Sequence, residues 1–162
     1  MIGLKRILVP SDFSETSEAA LRYGVELARA FKARLYLLHG PEHPGEAAET
    51  EFPIGLFENM QNAANDRLGH LLGNEETREL QPECAMRIGK PSDEIVRYAH
   101  EREIDLIVMG THGRQGMSRV ILGSVAERVV RKAPCPVLTV HNPEHEFVVP
   151  NQAAGASTRA TA

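Results

Sequence analysis

The stretch "MGTHGRQGMSRVILGSVAERVVRK" (residues 109–132) leaves an apolar run, crosses a glycine-rich loop and enters a segment of helical character. Upstream stands "DLIVM" (105–109), short and nearly continuous in apolar residues, as a parallel strand covered on both faces would be. Downstream, Val125 and Val129 lie four apart and share one helical face. Glycines between a strand and a helix have two possible causes. A chain that turns tightly recruits glycine with or without a ligand. Glycines at a strand end also let a ligand approach the backbone, while the amides of Gly123, Ser124 and Val125 would be the first unpaired donors of a helix, offered to a phosphate at its positive end. Gly110-x-x-Gly113 alone does not choose between these causes.

The same strand-then-helix alternation extends outward through the chain. Apolar runs recur at "RILVP" (6–10), "RLYLLHG" (34–40), "CAMRI" (84–88), "DLIVMG" (105–110) and "CPVLTV" (135–140). Between the first two, Ala20, Gly24, Leu27, Ala28 and Phe31 fall on one helical stripe, with Ser14 as N-cap and Glu15 and Glu18 near the positive end. A second helix is expected around 54–73, aligning Phe57, Met60, Ala64, Leu68 and Leu71, and a third from Pro91 with Ile95 and Ala99 inward. The fourth follows Gly123. Five strands alternating with four helices predict an α/β fold: an open five-stranded parallel sheet with right-handed crossovers and helices on both faces, Rossmann-like. Ligands of such sheets bind beyond the carboxyl ends of the strands, where the strand order reverses. In an order 3-2-1-4-5, strands one and four flank that point. The turn "VPSDFS" (9–14), with Pro10, Ser11 and Asp12, would then share a crevice with the Gly110 loop.

Composition bounds the function. The chain has 162 residues, 42% hydrophobic and 25% charged, with a formal net charge of −4. One domain of this size buries roughly 70% of the surface its unfolded chain exposes and needs no staples. The negative balance disfavours nucleic acid and anionic lipid, whose nonspecific binding relies on phosphate neutralisation. Cys84 and Cys135 form no C-x-x-C pair, so neither a disulfide framework nor a cysteine zinc site is expected, and a reducing compartment fits. The opening residues run straight into "KRILVPSD" without a long apolar segment, and the expectation is a cytoplasmic protein without a membrane span. Residues 41–53, "PEHPGEAAETEFP", read as an exposed loop or lid, and 142–162 as a partly disordered tail in which only "EFVV" (146–149) is apolar enough to dock. The domain itself is expected over 1–141.

Across residues 3–141, through "ILVPSDFS", "LYLLHG", "IGKPSDEIV" and "DLIVMGTHGRQGMSRVILGSVAERVVRKAPCPVLTV", the chain closely resembles the universal stress protein family. The pattern G-x-x-G, nine residues, G-[ST] marks the ATP-binding branch of that family. Gly110, Gly113, Gly123 and Ser124 satisfy it. The resemblance implies that Pro10, Ser11 and Asp12 lie against the adenosine end of the ligand. It implies that Gly110, Thr111 and His112 border the ribose and α-phosphate, and that Gly113, Gly123, Ser124 and Val125 hold the outer phosphates. Arg114 and Arg119 either reach phosphate oxygens or are solvated loop charges. One position departs from the pattern: binding members usually carry an apolar residue after "LLH" to pack on the adenine, and here it is Gly40.

Plainer readings stand beside these. Asp12 can simply cap the turn that follows it. His39, His112 and His141 fall near carboxyl strand ends and could form a zinc site with Asp12, but they lack short ligand spacing. Cys135, between two prolines, reads as a small buried hydrophobe rather than a nucleophile, and Met109 and Met117 as core or pocket lining. No Walker lysine motif, evident general base or carboxylate pair for metals is present. The chain is therefore expected to bind ATP, or a related adenine nucleotide, with Mg²⁺ or Mn²⁺ and to use occupancy as a signal, with at most slow hydrolysis. A true ATPase or phosphotransferase and a nucleotide-free interaction protein are the alternatives. The apolar final strand (136–140) is expected at a sheet edge, where pairing with its copy would make a homodimer.

Overall fold

The computed structural model describes residues 3–40, 55, 58, 59, 62, 66, 70, 80–111 and 122–141. Their elements run β1 (Arg6–Ser11), α1 (Glu15–Phe31), β2 (Arg34–His39), β3 (Glu83–Met86), α2 (Pro91–Glu101), β4 (Leu106–Gly110), α3 (Ser124–Lys132) and β5 (Val137–Val140). The strands form one sheet in the order β3-β2-β1-β4-β5, and every adjacent pair is parallel. The expected fold class and strand order are both present. The loop 41–53, the apolar stripe from Phe57 to Leu71, the segment from His112 through Met117 and Arg119, and the tail from Asn142 lie outside the described residues. Within the expected second helix, residues 58, 59, 62, 66 and 70 are helical and exposed.

Alternation along the strands sends side chains to two layers. Ile7, Val9, Leu35, Leu37, Val108 and Val140 pack under α1 against Ala19, Ala20, Leu21, Tyr23 and Ala28. Leu8, Tyr36, Leu38, Ile107 and Met109 face the other way, against Ile95, Tyr98 and Ala99 of α2 and Ala126 and Val129 of α3. Ile7, Leu8, Val9, Leu35, Leu37, Ile107 and Val108 are fully buried, and each contributes roughly 1.5–3 kcal/mol relative to leaving it exposed.

Helix ends follow local chemistry. The Ser14 side chain accepts the Ser17 N–H, Glu15 and Glu18 occupy the first turn of α1, and Lys32 closes it in the left-handed conformation. That closure corrects one expectation. Phe31, assigned to the inward stripe, is 38% exposed, because it is the last helical residue and the chain turns away directly after it. Pro91 begins α2, and Ile95 and Ala99 are buried as expected. The last strand starts at Val137 rather than Cys135: Pro134 and Pro136 have no N–H to give, and only the Pro136 carbonyl joins the ladder, accepting from the Ile107 amide at 3.1 Å.

Candidate functional site

The sheet splits where its order reverses. From β1, the chain continues through α1 to β2 on one side, while β4 lies on the other. The β1–β2 register runs to Ser11↔His39 and the β4–β5 register to Gly110↔Val140, but β1 and β4 stay in register only at Ile7↔Leu106 and Leu8↔Ile107. Pro10 supplies a reason. The Arg6 carbonyl accepts from the Asp105 amide, so Arg6, Leu8 and Pro10 turn their backbone groups toward β4, and Pro10 has no N–H to continue that ladder. Beyond Leu8 β1 and β4 share no further registered pair, and their carboxyl ends, Ser11–Asp12 and Gly110–Thr111, flank the reversal point at which a doubly wound sheet offers its crevice.

One wall of the crevice is the β1–α1 turn. Ser11 is buried; its hydroxyl accepts the Phe13 N–H at 3.1 Å and shares a hydrogen with Ser17 Oγ at 3.2 Å. Asp12 Oδ1 accepts the Ser14 N–H at 3.0 Å, so its turn-capping role is real, and it occupies one carboxylate oxygen. Between them Phe13 sits at φ 61°. For an aromatic residue that conformation costs on the order of 1–3 kcal/mol and persists only where the surroundings fix it. Here the Phe13 ring lies against that of His39, with centroids 4.4 Å apart. Sequence reasoning missed Phe13 and Ser17, and weighed His39 only as a metal ligand. The spacing of Ser11, Ser14 and Ser17 by threes was the available signal.

The other wall joins β4 to α3. The Thr111 N–H donates to the Val140 carbonyl at 2.8 Å, and the Thr111 carbonyl accepts the Gly123 N–H at 2.7 Å. The Gly123 amide is thus already used, which narrows the expected phosphate donors to those that follow it, Ser124 and Val125. Gly123 is the N-cap of α3 with φ −59° and ψ 152°, and no side chain caps the helix. Contrast with α1, where Ser14 fills that role, is informative. Any residue adopts the Gly123 backbone conformation, so a tight turn does not account for this glycine. Gly110 is different: a Cβ there would come within 3.0 Å of the Thr16 backbone, so its glycine is required by the docking of the first turn of α1 on β4.

On the far side of β1 stands the end of β2. Gly40 follows His39 and is half-buried; a Cβ would meet only the Arg87 carbonyl, at an ordinary 3.5 Å. Neither conformation nor packing requires glycine at this position. His112, Gly113 and Arg114 lie outside the described residues. His141 is exposed at the end of β5, and among the described residues no three His, Cys, Asp or Glu side chains gather as a metal site. Burial pushes the Cys84 and Cys135 thiols up, away from the reactive thiolate. No helix among the described residues is long and apolar enough to cross a membrane.

Relatives carry the same architecture. The model of the universal stress protein family matches residues 3–141, which include all five strands. Universal stress protein MJ0531 of Methanocaldococcus jannaschii is 34% identical, over 88% of this chain and 85% of its own length. Among solved structures, universal stress protein UspA from Lactobacillus plantarum is 26% identical with a TM-score of 0.70, covering 86% of this chain and 99% of that one. The universal stress protein from Archaeoglobus fulgidus in complex with dAMP is 26% identical with a TM-score of 0.55, covering 86% and 99%. A further universal stress protein, solved in complex with cAMP, is 27% identical with a TM-score of 0.57, covering 86% and 98%. With a family model that spans the whole sheet and a relative of that identity over most of both lengths, this chain belongs to the universal stress protein family.

Proposed function

We propose that the chain is a cytoplasmic stress-response switch that binds ATP, its signal being occupancy of the crevice between β1 and β4. The observation that carries this reading is the start of α3, a helix of nine residues that begins on a glycine without a side-chain cap and is tied by that glycine's N–H to the Thr111 carbonyl at the end of β4, the neighbour of β1 in the sheet. The Ser124 and Val125 amides offer a phosphate hydrogen-bond donors and partial positive charge, and the phosphate would accept there as the Ser14 side chain accepts the Ser17 N–H in α1. From α3 the crevice passes Gly110, Thr111 and Asp12 and reaches Gly40, two strands away or about 10 Å at ordinary strand spacing, a span suited to phosphate at one end and base at the other. In this reading Pro10, Ser11, Asp12 and Gly40 receive the adenosine, and His112, Gly113 and Arg114 complete the phosphate side. The dAMP and cAMP complexes of related proteins support an adenine ligand.

A divalent ion fits only as a companion of the nucleotide. The described residues present no cluster of carboxylates or imidazoles to cage one, and Mg²⁺ is commonly held by phosphates and water with one or two carboxylates. Asp12 is the carboxylate nearest the crevice that could serve. Hydrolysis, without a Walker lysine, is slow. Two copies pair through β5, at the sheet edge.

Mass analysis of the gently denatured purified protein, with calorimetric titration of ATP, AMP and GTP, tests the proposal. Adenine nucleotide retained or bound at micromolar concentration is expected; a folded protein without affinity for any of them would overturn it. A second reading, a nucleoside monophosphate as resident ligand, is favoured by the spent Gly123 amide and predicts AMP binding at least as tight as ATP.

A further inference from the structure

His39 ends β2 with its carbonyl accepting the Arg87 N–H at 3.0 Å, so its backbone is held on the β3 side. Its ring reaches the opposite way. Nδ1 lies 2.8 Å from the Ser11 carbonyl. A carbonyl only accepts, so Nδ1 carries the hydrogen and donates, leaving Nε2 as the acceptor of the neutral ring. The bond falls where the main-chain ladder stops at Ser11↔His39, and the imidazole supplies the donor that the backbone no longer provides. The same ring contacts Phe13, whose left-handed backbone turns the chain from Asp12 into α1. His39 therefore grips both ends of the three-residue turn that carries Asp12.

We propose that His39 is a positioning residue of the nucleotide site: through the Nδ1–H bond to Ser11 and its ring contact with Phe13, it holds the turn in the shape that presents Asp12 to the ligand. This role rests on the nucleotide reading above. A turn with phenylalanine in the left-handed region relaxes when its supports are removed. Restoring it on binding then weakens the apparent affinity by the fraction of molecules still competent. His39 acts on affinity through Asp12, with no proton transfer of its own.

The test compares ATP affinity, by calorimetry, in the full chain and in His39→Ala, His39→Gln and His39→Asn, each checked for cooperative unfolding without ligand. An asparagine amide N–H stands where Nδ1 stands, whereas a glutamine amide reaches the place of Nε2. Alanine and glutamine are expected to weaken ATP about tenfold, and asparagine to recover it to within about threefold. Ring-nitrogen NMR of the ligand-free parent should show the Nδ1–H tautomer. Unchanged affinity in His39→Ala, glutamine rescuing as well as asparagine, or an Nε2–H ring would each overturn the role. Should the alanine variant fail to fold, the asparagine and glutamine contrast decides. A parent with the Nδ1–H ring but no affinity for ATP overturns the nucleotide reading and this role together, which distinguishes that failure from the failure of His39 alone.

Discussion

The Gly123 amide donates to the Thr111 carbonyl across 2.7 Å, so the start of α3 is tied to the end of β4 although residues 112–122 lie between them in the sequence. The tie separates two kinds of glycine at this site. Gly110 is glycine because α1 presses on it; Gly123 is glycine although neither its conformation nor a cap requires it.

Gly123→Asp should therefore lose ATP binding while keeping or slightly raising stability. Aspartate is a strong N-cap residue, and its carboxylate would take the amides proposed for phosphate, with a gain of about a few tenths of a kcal/mol over glycine. Gly110→Val should instead destabilise by about 1–3 kcal/mol, since the Thr16 backbone must move. Thermal unfolding and ATP calorimetry on both variants check the contrast. A Gly123→Asp protein that still binds ATP as tightly as its parent would remove α3 from the site.

Alkaline stability should be governed in part by Tyr98. Burial raises its phenol to about 12, the neighbouring Glu83 carboxylate adds to the rise, and Arg102 opposes it. In an unfolded chain tyrosine titrates near 10. Between those values the folded protein keeps a proton that the unfolded chain has released, so the contribution is complete below about pH 10 and is lost as pH rises toward about 12. Melting temperature should fall across that window, and Tyr98→Phe should flatten the fall. An identical slope in the variant would assign alkaline unfolding to other groups.

Gly40→Val should fold like the parent, because a Cβ at Gly40 meets only the Arg87 carbonyl at 3.5 Å. If adenine lies against this position, the added side chain buries apolar surface on the base. Up to about 1.5 kcal/mol, or about tenfold in affinity, is available from that contact. Titration with ATP and with GTP measures it. Equal affinities in parent and variant would locate the base elsewhere.

Much of this molecule is legible in its sequence, for physical reasons that also define the limits. Continuous apolar runs such as "ILV" in β1, short and bounded by turn residues, fit strands covered on both sides, and Ser14 and Pro91 announce their helices by local chemistry that any fold would use. Side-chain interactions across distant segments leave no such mark. Nothing near Gly123 in sequence reveals that its amide is spent on Thr111, and nothing near His39 reveals that its ring bonds to Ser11 in the neighbouring strand. Phe31 was misassigned for a related reason: periodicity marks the stripe, but the residue at which a helix stops decides whether its last member reaches the core. Glu94 is a similar case, an acidic residue on an amphipathic helix that is 8% exposed, paired with Arg97.

Pairing of two copies through β5 can be tested without touching the core. Among the described residues no strand covers the outer edge of β5, which leaves a row of main-chain donors and acceptors to be satisfied. Charge substitutions are poor probes of this edge. Val140 is 6% exposed and Leu138 packs against the same cluster under α1, so lysine at either place would strike the core before it struck an interface. The backbone offers a cleaner probe. The Pro136 carbonyl accepts from Ile107 and the Val140 carbonyl from Thr111, so residues 136, 138 and 140 direct their backbone groups to β4, while Val137 and Thr139 direct theirs outward. Thr139→Pro removes one outward N–H and leaves the β4 ladder complete, a substitution an edge strand tolerates. Two antiparallel copies of β5 would exchange bonds at that position, and an isologous interface would lose the bond in both copies. Sedimentation at micromolar concentration should show a dimer for the parent and a folded, predominantly monomeric Thr139→Pro. A parent that sediments as a monomer, or a proline variant that dimerises as the parent does, would show that β5 is not where two copies meet.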